Sequence, residues 1–107
     1  MNTKYYTSIE QSKKLLELGL SPESADMVSP DTEKLLPCWS LGALLELMPE
    51  TIVLDKQLAF QNLRRVNSVW RVYYESDSSY REEDSLKLIE AVYSMICWLL
   101  VNKPRTY

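Results

Sequence analysis

The sequence predicts an α+β fold: a small antiparallel sheet of two to three strands packed on a long C-terminal helix, with two shorter helices before it. Three observations predict it. Arg81–Asn102 is the longest apolar-periodic stretch of the chain. Thr7–Leu18 and Ser40–Met48 repeat apolar residues every three or four positions, each with start and stop signals. Between Ile52 and Glu75 the period changes to two. At 107 residues the chain is read as one domain, 1–107, long enough to bury roughly two thirds of its unfolded surface.

Residues 1–6 read as a short arm, or as an edge strand through Lys4–Thr7. Thr7 and Glu10 have the spacing of a capping box, in which each side chain satisfies a backbone N–H of the first turn. Ile9, Ser12, Leu16 and Leu20 share a face, widened by Leu15 and Leu18. Gly19 stands where a helix ends on a residue with positive φ, and Leu20 is placed to touch Leu15 across that end. Ser21-Pro22-Glu23 starts a second short turn. Residues 27–38 read as a loop with one short extended piece at Lys34–Leu36, since Pro30 and Pro37 turn their predecessors away from helix. Ser40 is the expected N-cap of a compact helix carrying Leu41, Leu44, Leu45 and Met48, and Pro49 stops it.

Ile52–Leu54 is short and β-rich. Gln57–Leu63 alternates, with Leu58 and Phe60 on one side and Ala59 and Gln61 on the other. Ser68–Glu75 alternates too, Trp70, Val72 and Tyr74 against Val69, Arg71 and Tyr73, and Asn67-Ser68 marks the turn. The expected core face is Trp70, Val72 and Tyr74 together with Leu58 and Phe60. On the C-terminal helix, Leu88, Ile89, Val92, Tyr93, Met95, Ile96, Leu99 and Leu100 form one arc opposite Lys87, Glu90 and Ser94. Ser79 and Glu82 suggest its capping box, and Glu82, Glu83 and Asp84 suit the positive end of its dipole. Trp98 and Val101 fall on the polar arc, so the last two turns are apolar all round. This marks Trp98 and Val101 as a candidate partner surface, unless another element covers them.

Composition excludes much chemistry. The chain has no histidine, two glycines and two cysteines, Cys38 and Cys97, without C-x-x-C spacing. Histidine-based catalytic units, glycine-rich phosphate loops and a Cys₄ metal site are therefore absent within one chain. Acid clusters at Glu75/Asp77 and Glu82–Asp84 read as solvated surface. We expect no catalytic residue, cofactor or metal, and no membrane span, since no apolar run approaches the ~18 residues required. The two thiols and the polar N-terminal residues suggest a soluble protein of a reducing cytoplasm.

Net charge is −3, divided as −4 over residues 1–50 and +1 over 51–107. Lys56, Arg64, Arg65 and Arg71 fall in one acid-free stretch, with Tyr73 on the strand face of Arg71. These five are candidate nucleic-acid contacts, cations for phosphates and a ring for stacking. Four cations on an acidic protein are few for a dedicated nucleic-acid domain. The leading expectation is a non-enzymatic protein–protein interaction or accessory module, with a protein partner or a homo-oligomer. Weak nucleic-acid binding through residues 56–71 is the alternative.

Three blocks carry a resemblance: Thr7–Met27 (TSIEQSKKLLELGLSPESADM), Pro37–Pro49 (PCWSLGALLELMP) and Ala91–Leu100 (AVYSMICWLL). Together they resemble a group of small uncharacterised proteins encoded in gut Bacteroidetes-type genomes, often in a phage-like or mobile-element setting. The resemblance implies a bacterial cytoplasmic accessory protein and brings no catalytic residue with it. The 27–36 loop and the strand region are less alike.

Overall fold

The computed structural model describes residues 5–29 and 35–106. Helix α1 (Ile9–Glu17) begins one residue later than the Thr7/Glu10 box implies. Ser8 is the N-cap, and its capping box is completed by Gln11 rather than Glu10. Thr7 is instead fully buried. The helix ends as its sequence suggests. Gly19 takes φ +99°, Leu20 N–H donates to Leu15 O and Gly19 N–H to Leu16 O, both at 3.0 Å. That pair of bonds is a Schellman end, which satisfies carbonyls the helix would leave open.

A 3₁₀ turn (Pro22–Ser24) leads into β1 (Met27–Ser29), which pairs antiparallel with β2 (Leu36–Cys38). The expected loop over 27–38 thus contains a two-stranded ladder. Of the extended piece expected at Lys34–Leu36, only Leu36 lies in β2, Leu35 precedes it, and Lys34 lies outside the described residues. Strand β1 escapes a sequence reading because three residues are too few to show a period. Tyr6 forms an isolated bridge with Ser40. Helix α2 (Leu41–Leu47) follows, capped by the Ser40 hydroxyl, which accepts from Ala43 N–H at 3.1 Å. The Asp26 carboxylate accepts from Ser40 N–H at 2.8 Å and from the Ser40 hydroxyl, tying β1 to the start of α2.

The larger sheet corrects the expectation of two to three strands. It has four, in the order β3 (Thr51–Leu54), β4 (Gln57–Val66), β5 (Val69–Glu75) and β6 (Tyr80–Ser85), all antiparallel. Hairpins β3–β4 and β4–β5 each turn on two residues with positive φ, Asp55-Lys56 (47° and 67°) and Asn67-Ser68 (51° and 66°). Turns of that hand match the twist of the strands they join. Strand β6 is formed by residues expected to open the long helix. Its six residues, YREEDS, alternate, but two charged residues occupy the inward positions where apolar ones would have announced a strand. The Ser79/Glu82 box is accordingly not formed. Helix α3 (Leu88–Asn102) starts seven residues later, where the Ser85 hydroxyl accepts from Lys87 N–H and donates to Glu90. It ends at Lys103 (φ 46°), before Pro104.

One cluster of buried side chains joins the helices to the inner sheet face: Leu15, Trp39, Leu44, Met48, Ile52, Ala59, Val72, Tyr74, Ile89, Val92, Met95 and Ile96. Full burial of each larger apolar side chain contributes about 1.5–3 kcal/mol. Polar tips inside it are satisfied. Trp39 Nε1 donates to Ser24 Oγ at 2.9 Å, and Tyr74 Oη donates to Pro49 O at 2.6 Å. Thr7 Oγ1 accepts from Trp39 N–H at 3.0 Å and shares a hydrogen bond with Ser12 Oγ at 2.8 Å. Thr7 is therefore a bracket between α1 and β2.

The inner face of β4 is the reverse of the one expected. Register pairs Ala59 with Ile52 and Gln61 with Tyr74, so Ala59 points inward and is fully buried. Leu58 and Phe60 point outward, since neighbouring strand residues face opposite ways. The larger pair is left outside.

Candidate protein-binding face of the sheet

Among the described residues, α1, α2 and α3 each contribute to the cluster on the inner face, and the outer face retains its exposure. Cross-strand pairing arranges that outer face in rows. Val53 lies opposite Leu58. Thr51, Phe60, Glu75 and Tyr80 form the next row, then Asn62, Tyr73 and Glu82, then Arg64, Arg71 and Asp84. Leu58 is 42%, Phe60 56% and Tyr80 48% exposed. The Tyr73 and Tyr80 rings stand 5.3 Å apart. An open groove of about 550 Å³ runs beside Leu58 and Phe60, bounded by Gln57, Asn62, Glu75, Ser76 and Asp77. A second groove on the other side of Leu58 is bounded by Val53, Lys56 and Arg105. Arg105 reaches that position because the tail pairs with β3: Val53 N–H donates to Arg105 O at 2.8 Å, and Thr106 bridges Ile52.

The other end of the face is a charged ladder. Arg71 Nε stands 2.7 Å from Glu82 Oε2 and 3.0 Å from Asp84 Oδ1, and its terminal nitrogen donates to Asp84 Oδ2 at 3.1 Å. The Asp84 hydrogen bond, helped by the charges of Asp84 and Glu82, raises the Arg71 pKa above its ordinary value against the opposing effect of desolvation. Tyr80 is raised by desolvation and by its hydrogen bond to Glu82.

The five candidate nucleic-acid contacts are not brought together as one surface. Arg71 and Tyr73 share the outer face with Arg64, but Arg65 points to the inner side, its guanidinium 5.3 Å from the Trp70 ring. Lys56 sits in the hairpin turn at the far end of β4, about 25 Å from Arg64 at ~3.3 Å per residue. The Arg71 charge is engaged by two carboxylates, both supplied by β6.

Trp98 is half-buried, neither fully covered nor open. The Arg81 guanidinium lies 5.0 Å from the centre of its ring and is itself paired with Glu83 at 2.7 Å. β6 thus supplies the cover that the helical wheel asked for. Val101 remains exposed, in a shallow groove with Lys14, Leu18 and Trp98. Cys38 is buried and Cys97 half-buried, and burial raises both thiol pKa values.

Sequence reasoning missed Leu58, Phe60 and Tyr80 as surface residues. The signal was present in Gln57–Leu63, where Ala59 alternates with two large apolar residues, but size assigned those two to the core. Among the described residues, no helix is long and apolar enough to cross a membrane. No family model, curated protein or solved structure matches the chain.

Proposed function

We propose that the protein is a non-enzymatic protein–protein interaction module that binds through the outer face of its four-stranded sheet. One observation carries the reading: Leu58 and Phe60 stand exposed on one face of β4, with Tyr80 two strands away in the row of Phe60 and Glu75 between them, on the face opposite the buried cluster. Large apolar side chains left exposed on one face and bordered by charge are the usual character of a binding site. The resemblance noted above motivates a bacterial or prophage accessory setting and a cytoplasmic location.

The test is photo-crosslinking of the full chain in a bacterial extract, with Phe60→Lys as control. Adducts that the wild type forms and Phe60→Lys loses, at equal melting temperature, support the reading. Adducts indifferent to Phe60→Lys refute it.

Nucleic-acid binding is the lesser reading, since the cations are dispersed and Arg71 is paired. It predicts saturable binding at low salt that weakens as salt rises and drops when Arg64, Arg65 and Arg71 become Ala. No binding at low salt removes it.

A further inference from the structure

We infer that the occupant of the outer sheet face is a second copy of this chain, in a two-fold dimer centred on Leu58 and Phe60. The inference rests on the protein-binding reading of that face and names its partner.

The charges around the apolar strip carry it. Lys56 and Arg105 border Val53 and Leu58 on the β3 side. Glu75 and Asp77 border Leu58 and Phe60 on the β5 side. All four are exposed. The strip therefore has a basic flank, Arg105 beyond β3 with Lys56 in the β3–β4 turn beside Asp55, and an acidic flank at β5; Arg105 and Glu75 lie about three strand spacings or ~14 Å apart. A two-fold dimer presents the same patch from both copies, so the patch must complement itself. Two axes lie in the plane of such an interface. An axis across the strands stacks the basic flank on its own copy and the acidic flank on its own copy. An axis along β4 sets the basic flank of each copy over the acidic flank of the other, with Leu58 and Phe60 of both copies on the axis. Only the second arrangement relieves like-charge contact at both flanks. Either axis keeps the strands of the two sheets nearly aligned, the common packing of sheet on sheet, so charge decides between them.

Area sets the strength. Four strands at ~4.8 Å spacing, over about 20 Å of strand length, give a footprint of about 400 Å² per copy. That is small for a permanent dimer, so association is weak and reversible. Its two charged seams make it salt-sensitive.

Sedimentation equilibrium of the full chain tests this, with two charge-reversal variants. Lys56→Glu/Arg105→Glu makes both flanks acidic. Glu75→Lys/Asp77→Lys makes both flanks basic. The wild type is expected to move from the 12.5 kDa monomer toward twice that mass as concentration rises, and to lose the shift at high salt. Each variant alone stays monomeric, and an equimolar mixture recovers the dimer, because acidic flanks then meet basic ones at both seams. All substituted side chains are exposed, so unchanged circular dichroism and melting temperature are expected. A wild type that is monomeric at every concentration overturns the inference. So do variants that still dimerise alone, or a mixture that does not recover. A monomeric wild type that still forms Phe60-dependent adducts with another protein overturns the second copy while the protein-binding reading stands.

Discussion

Thr7→Val removes one hydroxyl and keeps the shape of the side chain. In the native protein that hydroxyl accepts from Trp39 N–H at 3.0 Å and shares a hydrogen bond with Ser12 Oγ at 2.8 Å. Thr7 and Ser12 are both fully buried, so water cannot replace what is lost. Two groups are left short of a partner, at about 1–3 kcal/mol each. The extra buried methyl returns about 0.8 kcal/mol. The expected net loss is about 3 kcal/mol, or about 10–20 °C in melting temperature for a domain of this size. Urea unfolding followed by tryptophan fluorescence measures it. Adding Ser12→Ala to Thr7→Val should cost less than the sum of the single substitutions, because the hydroxyl that lacked a partner is then gone. A Thr7→Val loss below about 0.5 kcal/mol would refute the role given to this bracket.

Gly19→Ala should cost about 1–2 kcal/mol through backbone strain alone, since an added Cβ meets nothing within 4 Å at φ +99°. A thermal melt indistinguishable from wild type would contradict the Schellman end. Trp98→Ser should cost about 2–4 kcal/mol, because its half-buried ring packs on the core and under Arg81. Val101→Lys, at an exposed position beside it, should leave the melting temperature within about 2 °C. Burial raises the folded pKa of Cys38, Cys97, Tyr74 and Tyr93. The unfolded chain therefore releases these protons first as pH rises. Stability should be level to about pH 8.5 and fall above about pH 9, read as melting temperature against pH. Burial alone would raise the Asp26 pKa, but hydrogen bonds from Ser40 lower it overall. Its contribution should be lost as pH falls below about 4, and Asp26→Asn should flatten that limb.

The end of α1, both ends of α2 and the Asn67-Ser68 turn were legible because a few residues specify them locally, whereas the starts of α1 and α3 were misplaced, at Thr7 and Ser79. Gly19 with Leu20, Ser40 with Pro49, and Asn67-Ser68 each adopt the conformation their chemistry favours. Strand β6 was not legible. Its inward positions Arg81 and Glu83 pair with each other, and Arg81 covers Trp98, so charge does there what apolar residues do elsewhere. The same acids mimic a helix start. The face of β4 was misread because period two fixes which residues share a side but not which side is inward. Pairing of Ala59 with Ile52 and of Gln61 with Tyr74 decides that, and both pairings depend on neighbouring strands. The candidate site was hidden by the same error, since Leu58 and Phe60 were assigned to the core they turn away from. The basic stretch was legible as composition, but β6 brings Glu82 and Asp84 to Arg71 from later in the chain.

Phe60 is the only phenylalanine in the chain, which permits a direct measurement on the outer face. Fluorinated phenylalanine placed biosynthetically gives one ¹⁹F resonance, at the centre of the proposed interface. This resonance is expected to shift as protein concentration rises from about 10 μM to about 1 mM, and to return when salt is added. A resonance that stays fixed over that range, with and without salt, would contradict association through this face.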